Sequence, residues 1–586
     1  MAATVTPHTP VLKINGSALS VTWLDALSAA RVDLALGLAG RAVLRFVDSG
    51  FALSSSKVVN LGDEVVVLAG ETPLMTGEVT SMGLEQNSSQ APELVVTVDD
   101  RSCRLAVGTQ NRAFLNLTHA DLIRKLVTDA GLTLSASGTS AATHPYLLQT
   151  GSNLAFLNEV CARAGLVWWV EGAKQLKVAP AGSSSGTATV KLGEDLTAFS
   201  VRATTTGPES VEVRGWNPEQ QQAFTGTHQT KIGQESNFVA SAAGRKASAR
   251  GSTAVALASP SPIDADEATL FAKAKFAEAA SAAVVATGTG YVNGDLTLTA
   301  KVTVENAGPA SGTYTISRIE HTYGRSGFTT RFTAGPVRPT GLVDVLGTTR
   351  PGAGLQVGGV FAAVVSDVKD PDDKGRIRVA WKVVDDQVES AWGRIVTLGA
   401  GKSRGMVFFP EVGDEVLIAF EHGDTRRPVI LGGLFSSVNT LPTKDDIDQD
   451  KIKYRRITSR LGHVVELADG SAEADQHILL TLAGKKHKIR LGADQLDVVT
   501  DGTPISMTNG QAKVVLAKNG DITIDGNNIE IKAKAEIKVT ATNKVTVKGT
   551  AGADLLGAQV KVKADGVASV EASGPLTIKG ATVAIN

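Results

Sequence analysis

The C-terminal part of the chain, from about residue 522 onward, consists of short apolar–polar–apolar segments that recur roughly every eight residues. The paired apolar residues are Ile522/Ile524, Ile529/Ile531, Ile537/Val539, Val545/Val547, Val560/Val562, Ala568/Val570, Leu576/Ile578 and Val583/Ile585. Strict alternation turns one face of each strand inward and leaves the lysine-bearing face in water. Strands this short cannot bury an apolar face alone, and a single row of them leaves open edges. The repeat therefore predicts stacked coils whose core is completed by other copies of the same chain.

This repeat predicts a thin, stiff β-helical shaft at the C-terminal end of the protein. The residues that we expect in the shaft core are Ile529, Ile531, Ile537, Val539, Val545, Val547, Val560 and Val562. The lysines between them would keep the outside of the shaft soluble and oppose side-by-side aggregation.

Composition indicates a mainly β protein and narrows its environment. The 60 glycines and an aromatic content of only 5% are typical of many short strands joined by tight turns. A net charge of −1 provides no overall field that would attract nucleic acid or acidic membranes. Cys103 and Cys161 are too few for a disulfide framework, which favours a reducing compartment. We expect no secretory signal and no membrane-spanning helix, because the chain starts without a basic and then apolar segment and contains no long apolar run.

Three helices are predicted within the first 335 residues. One begins at Thr118, one begins at Ser152, and a third covers residues 264–285. Thr118 and Ser152 are good N-caps, and apolar residues follow each at helical spacing. Most of the remaining segments read as strands broken by turns, and residues 173–260 are weakly patterned.

The segment 359–436 carries the most specific motif. It includes Asp370-Pro371, Gly375–Val379, Trp392-Gly-Arg394, Pro410–Phe420 and Gly432-Gly433. Glycines, prolines and Gly-Asp turns separate strands of alternating hydrophobicity, as in a small closed barrel.

This barrel resembles the oligosaccharide/oligonucleotide-binding (OB) type barrel of VgrG spikes and phage tail-spike proteins. Residues 60–170 look like the hub domain of phage late-control D proteins, and residues 312–332 look like its return strand. The C-terminal repeats are similar to the β-prism of the same family. The lean architecture looks closest to the spike of an extracellular contractile injection system.

The resemblance gives an expected domain organisation. We expect β-barrel-like hub domains with a few helices over 1–335, a linker over 336–358 and an OB-type barrel over 359–436. A second linker would cover 437–454, and a trimeric intertwined β-helix, or β-prism, would cover 455–586.

The resemblance also implies a function. Such a chain is a structural spike, the central baseplate hub of a contractile injection system or phage-like tail. Its homotrimer would adapt the six-fold inner tube to a pointed tip, bind baseplate proteins at the hub and pierce the target envelope through transient membrane contact. It would be assembled in the cytoplasm without a signal peptide and travel as part of the particle.

The open β end of the last turn is expected to bind a tip protein of the PAAR type. The residues expected in that docking surface are Leu576, Ile578, Val583, Ile585 and Asn586.

Two other functions compete with the spike. One is a cell-envelope hydrolase delivered by a tail, but we expect no enzyme, because the short linker between barrel and shaft leaves no room for a catalytic domain and no nucleophile motif occurs. The other is carbohydrate or nucleic-acid binding by the barrel. Arg376, Arg378, Arg394, Trp381 and Trp392 would suit it, but neighbouring carboxylates offset their charge, so we expect a structural role and no nucleic acid. Gly399–Ser403 lacks the first glycine and the helix of a phosphate-binding loop, which predicts a turn.

No cofactor is expected, and metal binding has only weak candidates. His463, His477 and His487 follow no compact metal-binding spacing. In a trimer, one inward histidine becomes a ring of three, which could hold an ion on the axis; the alternative is an exposed or core-edge histidine.

Overall fold

Strands dominate the protein, which confirms the mainly β class. The computed structural model describes residues 9–204, 208–229, 236–239, 254–257, 262–337, 357–382, 384–385, 387–443, 445–448 and 450–585. The chain divides into a first unit, Met1–Leu441, and a second unit, Pro442–Asn586, each described below by itself. Most of the expected linker over 336–358 and part of the one over 437–454 lie outside the described residues.

Among its described residues, the first unit contains 28 strands and four α-helices of five or more residues. The strands up to residue 334 are β1 (Pro10–Ile14), β2 (Ser17–Ala18), β3 (Leu27–Ala35), β4 (Arg41–Val47), β5 (Glu64–Ala69), β6 (Thr72–Asn87), β7 (Gln90–Asp99), β8 (Gln110–Thr118), β9 (Thr133–Ala136), β10 (Thr143–Gly151), β11 (Leu166–Glu171), β12 (Gln175–Pro180), β13 (Thr187–Lys191), β14 (Leu196–Ala203), β15 (Ser210–Asn217), β16 (Gln222–Gln229), β17 (Ala254–Leu257), β18 (Val284–Tyr291), β19 (Lys301–Glu305), β20 (Gly312–Gly324) and β21 (Gly327–Ala334). The barrel region adds β22 (Val360–Asp367), β23 (Arg378–Ala380), β24 (Arg394–Ile395), β25 (Ala400–Gly401), β26 (Arg404–Gly405), β27 (Glu415–Phe420) and β28 (Pro428–Gly433). The helices are α1 (Val21–Asp25), α2 (His119–Asp129), α3 (Asn153–Ala164) and α4 (Ala265–Ser281).

A 13-stranded sheet forms the framework of the first unit. Its order is β14-β18-β21-β20-β3-β4-β7-β6-β5-β1-β2, with β19 joined to β20 and β13 joined to β19. Alternation decides which face is buried: in β4, Ala42, Leu44 and Phe46 lie in the core, while Arg45 pairs with Glu93 on the other face. The ring of Trp23 meets Phe46 edge-on at a centroid distance of 5.1 Å.

The helices begin where the sequence predicts. The Thr118 hydroxyl accepts a hydrogen bond from the backbone N–H of Asp121 at 3.1 Å, and Ser152 caps α3 in the same way. Helix α3 ends at Gly165, whose φ of 66° is a left-handed conformation that favours glycine. The third helix is shorter than expected: it ends at Ser281, because the alternating residues from 284 onward form β18 instead.

The barrel is a five-stranded sheet in the order β23-β22-β27-β28-β24. Trp381 and the apolar residues of β22, β27 and β28 fill its interior. Tyr146 of β10 packs into the same core, and its hydroxyl donates to the backbone carbonyl of Glu389 at 2.9 Å. The two-stranded sheet of β8 and β10 is thereby fixed to the barrel. Strands β25 and β26 form a short hairpin across Gly399–Ser403, which confirms the predicted turn.

The second unit begins with ladders of antiparallel strands. Its strands are β29 (Ile447–Asp448), β30 (Lys451–Ile452), β31 (Tyr454–Thr458), β32 (Val464–Ala468), β33 (His477–Thr481), β34 (His487–Gly492), β35 (Leu496–Thr500), β36 (Ile505–Asn509), β37 (Ala512–Leu516) and β38 (Ile522–Asp525). Strands β31 to β35 form one five-stranded sheet, and β36 to β38 form another of three strands.

Residues 526–585 contain no strand within a single chain. The eight-residue repeats of this segment, here called octads, nevertheless predict short strands. The physical reason is that a strand requires a hydrogen-bonded neighbour, and the octads have none inside their own chain. The intertwined β-helix therefore stays a prediction.

None of the helices in the described ranges is both long enough and apolar enough to cross a membrane.

Candidate functional site

One side of the β31–β35 sheet is almost wholly apolar. We call this surface the apolar sheet face. Its members are Ile457, Val465, Leu467, Ile478, Leu480, Ile489, Leu491, Leu496 and Val498. They occupy alternate positions on their strands, and side chains at alternate positions point to the same side of a sheet.

Strand register aligns these side chains in two rows. One row runs in the order Ile457, Val465, Leu480, Ile489 and Val498, each residue paired directly with the next. The second row places Leu467, Ile478, Leu491 and Leu496 in the same way. Each of these side chains is between 40% and 65% exposed in the single chain. Soluble monomers rarely expose a contiguous apolar patch larger than a few hundred Å², so this face is typical of a surface that another chain covers.

The opposite side of the same sheet is polar and internally paired. Glu466 is buried and accepts a hydrogen bond from the Arg456 guanidinium, while its other carboxylate oxygen lies 2.9 Å from His477 Nε2. Arg456 also contacts Asp446 and lies 4.1 Å from the centre of the Tyr454 ring. Glu466, Arg456 and His477 are thus paired within the chain, whereas no described residue of the chain buries the apolar side.

The expected shaft core residues are exposed in the single chain. Ile529, Ile531, Ile537, Val539, Val545, Val547, Val560 and Val562 are each more than half exposed. In each of these four pairs the first residue is less exposed than the second; Val545 and Val547, for example, are 51% and 80% exposed. This difference in exposure repeats along the segment, and one stripe of apolar side chains remains exposed to solvent.

The expected tip-docking residues share that exposure. Leu576, Ile578, Val583 and Ile585 are each at least half exposed, and Asn586 lies outside the described residues. Their role in docking stays a prediction.

The three candidate histidines do not come together in one chain. His463 Nδ1 accepts from the backbone N–H of Ala483 at 3.0 Å, His477 contacts Glu466, and His487 Nδ1 lies 3.3 Å from the Thr503 hydroxyl. No group of three or more metal-ligating side chains occurs in the part of the chain that the structure describes. An ion held by equivalent histidines of several chains stays a prediction.

Sequence reasoning missed the apolar sheet face. The signal was present, because Val465/Leu467, Ile478/Leu480, Ile489/Leu491 and Leu496/Val498 are the same apolar–x–apolar pairs that mark the octads. Loops of different length separate these pairs, so their spacing is less regular. A regular period is therefore evident only after residue 522.

A second cluster joins the barrel to helix α4 inside the first unit. The Arg426 guanidinium donates to Glu267 at 2.6 Å and to Asp424 at 2.7 Å, and all three side chains are buried. Burial alone would raise the pKa of Asp424, but Arg426 outweighs it and holds that pKa below its ordinary value. Burial would lower the pKa of Arg426, but the two carboxylates keep it above its ordinary value. Asp424 and Arg426 are therefore both charged.

Two histidines, with their rings tilted against each other, lie beside this cluster. The rings of His119 and His144 are 4.2 Å apart, and three of their four ring nitrogens are buried without a hydrogen-bond partner among the described residues. Burial and the neighbouring His144 lower the pKa of His119 to about 3. Burial also lowers the pKa of His144, although Glu267 opposes that change.

From these two histidines we predict that the first unit loses stability in acid. Because the folded-state pKa of His119 lies below the unfolded value, the unfolded chain binds the proton first, and stability falls as pH decreases from about 6.5 towards 3. One such proton corresponds to a slope of about 1.4 kcal/mol per pH unit. The measurement is the free energy of unfolding, taken from the first unfolding transition and recorded at a series of pH values. We expect His119→Asn to reduce the slope and His422→Asn, at an exposed turn, to leave it unchanged; equal slopes in the wild type and His119→Asn would contradict the assignment.

Two family models match the chain. The Alg8 N-terminal domain matches residues 29–323, about half of the chain, and the type VI secretion system/phage-baseplate injector OB domain matches residues 361–435. The second match confirms the OB-type barrel.

Individual relatives match over shorter spans. The type VI secretion system spike protein VgrG1c of Pseudomonas aeruginosa is 36% identical over 75 residues, which is 12% of this chain and 10% of that protein. The spike protein VgrG3 of Vibrio cholerae is 28% identical over 168 residues, which is 27% of this chain and 16% of that protein. The chain thus matches less than a fifth of the length of either relative.

A solved Escherichia coli protein provides a structural comparison. It is described as a component of the type VI secretion system with structural similarity to the T4 bacteriophage tail proteins gp27 and gp5. It superimposes with a TM-score of 0.47 at 16% identity, covering 72% of this chain and 99% of that one. The injector OB domain and the VgrG relatives confirm the predicted resemblance to the VgrG and phage tail-spike family. By the match that covers half of its length, the chain belongs to the family of the Alg8 N-terminal domain.

Proposed function

We propose that this protein is the structural spike of a contractile injection system or phage-like tail and that it acts as a homotrimer. The single observation that carries the proposal is the apolar sheet face, continued by the open apolar stripe of the octads. Family membership supports the class of function. The chemistry of the exposed stripe supports an identical partner, because the same short period repeats in every copy.

In the proposed trimer, neighbouring chains supply the hydrogen bonds that the octads lack. Short strands from three chains wrap around one axis, so backbone groups pair between chains and no free edge remains. Apolar residues such as Ile529 and Val545 turn inward, and lysines stay outside. Such a shaft transmits force along its axis without bending, which is what piercing an envelope requires.

The hub, residues 1–335, is proposed to bind the six-fold inner tube and the baseplate. In the sequence, the OB-type barrel over 359–436 lies between that hub and the shaft proposed over 455–586. We propose that the particle forms in the cytoplasm, that the spike reaches the target envelope on contraction and contacts its membrane only transiently, and that the chain itself catalyses no reaction.

A PAAR-type protein is proposed to cap the C-terminal end. Deleting residues 576–586 removes the last two octads, so we expect loss of tip binding while the trimer persists through the remaining stripe. The measurement is co-purification of a tagged tip protein, with the mass of the spike recorded on the same sample. Deleting residues 83–92, the exposed tip of the β6–β7 hairpin, serves as the control and should retain tip binding. Tip binding by the C-terminal deletion would refute the proposed docking surface.

A further inference from the structure

A cleft of about 860 Å³ opens between the two-stranded sheet of β8 and β10, the turn between β15 and β16, and the barrel, all within the first unit. Its walls include apolar surface from Leu115, Tyr146 and Trp392. Six cationic side chains also line it: Lys374, Arg376, Arg378, Arg394, Arg426 and Arg427. The cleft is large enough to hold several residues of an extended peptide.

Five of these cations already have partners. Lys374 pairs with Glu219 at 2.5 Å, Arg376 with Asp370 at 2.6 Å, Arg394 with Glu421, Arg426 with Asp424 at 2.7 Å, and Arg427 with the backbone carbonyl of Pro262 at 2.7 Å. Their charges and donors are used in holding the barrel and its neighbours together.

Arg378 is the exception. Its guanidinium makes no hydrogen bond to any residue in the described ranges, and its Nε is buried without a partner. The nearest carboxylate, Glu389, is 3.9 Å away. The guanidinium lies over the ring of Trp392 at 4.7 Å, so its plane is fixed while a third of the side chain remains exposed. Because Nε has almost no exposed surface, the terminal N–H groups of the guanidinium are the donors that remain for a ligand.

We propose that Arg378 and Trp392 form a carboxylate-binding site and that the cleft binds an acidic peptide segment of a partner protein. A planar guanidinium presents two parallel N–H groups, which match the two oxygens of a carboxylate. Trp392 holds the plane in place, and Leu115, which is exposed, offers apolar surface to the rest of the peptide. This site is separate from the shaft and does not depend on the proposed trimer.

The same residues fit a nucleic acid poorly. A polyanion needs several cations that are not neutralised along a groove, together with free aromatic faces. In this cleft Arg378 alone lacks a close acidic or carbonyl partner among the described lining cations, and the guanidinium already covers one face of Trp392. One cation suits one carboxylate.

The test is fluorescence anisotropy of a labelled oligoglutamate peptide added to the full-length protein at low salt. We expect saturable binding that Arg378→Met weakens about 10- to 100-fold, because a hydrogen bond to a charged group is lost. Arg325→Met, at an exposed turn between β20 and β21, is the matched control and should bind like the wild type. Trp392→Leu should also weaken binding, because the guanidinium is no longer held flat.

Three results would overturn the proposal. The first is no binding by the wild type, as would occur if a second copy of the chain fills the cleft in the assembly. The second is equal binding by Arg378→Met and Arg325→Met. The third is that a single-stranded oligothymidine or inorganic phosphate competes as strongly as unlabelled oligoglutamate, since the site would then recognise anions in general.

Discussion

A Leu480→Asp substitution is expected to prevent assembly of the trimer. Leu480 lies at the centre of the apolar sheet face, between Val465 and Ile489 of the adjacent strands. In the assembled protein the new carboxylate would be buried against apolar side chains without a partner, which costs several kcal/mol at each site. A threefold assembly incurs that cost three times. Light scattering should therefore report a smaller species than the wild type at the same concentration.

Leu461→Asp is the matched control. Leu461 is exposed in the turn between β31 and β32 and lies outside the two apolar rows. The same chemical change there should leave the assembled mass unchanged. An unchanged mass for Leu480→Asp, or an equal loss in both variants, would mean that the apolar sheet face does not bind another chain.

Arg426→Met is expected to destabilise the first unit by about 3–5 kcal/mol, because removing one partner of a buried ion pair leaves the other charges uncompensated. Here two carboxylates, Glu267 and Asp424, would lose their shared cation. Glu267 would still accept the backbone N–H of Ile263 at 2.7 Å, so the start of α4 should persist while its contact with the barrel weakens. The measurement is chemical unfolding of the full chain, read at its first transition.

Arg214→Met provides the comparison for that experiment. Arg214 pairs with Glu212 at 2.6 Å, but its side chain is mostly exposed. Exposed ion pairs contribute about 0–1 kcal/mol, so this variant should unfold close to the wild type. Similar midpoints for both variants would show that the Arg426 cluster adds little to the stability of the junction.

Local signals made the helices and the barrel predictable. Thr118 and Ser152 are caps whose effect is confined to the next few residues, and both act as expected. Gly165 ends α3 because it readily adopts positive φ. The end of α4 was less predictable, since the alanines near Ser281 suit a helix and the strand after it equally well.

Contacts between distant residues were not predictable. Arg426 and Glu267 are 159 positions apart, and neither belongs to a periodic pattern that would draw attention to it. His119 and His144 come together because β10 pairs with β8, the strand that leads directly into α2. The Arg378 guanidinium, which makes no hydrogen bond among the described residues, could not be distinguished from its hydrogen-bonded neighbours, because pairing depends on where each carboxylate lies in the folded chain.

The octads differ from these contacts, because their pattern is clear in the sequence while a single chain does not give them a structure. Their period was evident from Ile529 to Ile585, yet one chain folded alone leaves them without strand partners. The pattern identifies surfaces that require a partner, but the identity of that partner is a property of the assembly.

The most direct measurement is the absolute mass of the purified protein in solution, by light scattering coupled to gel filtration. Our account predicts a particle of three chains, each of 60.7 kDa, that persists on dilution. A folded, stable species with the mass of one chain would contradict it, because the apolar sheet face and the octads would then remain in water.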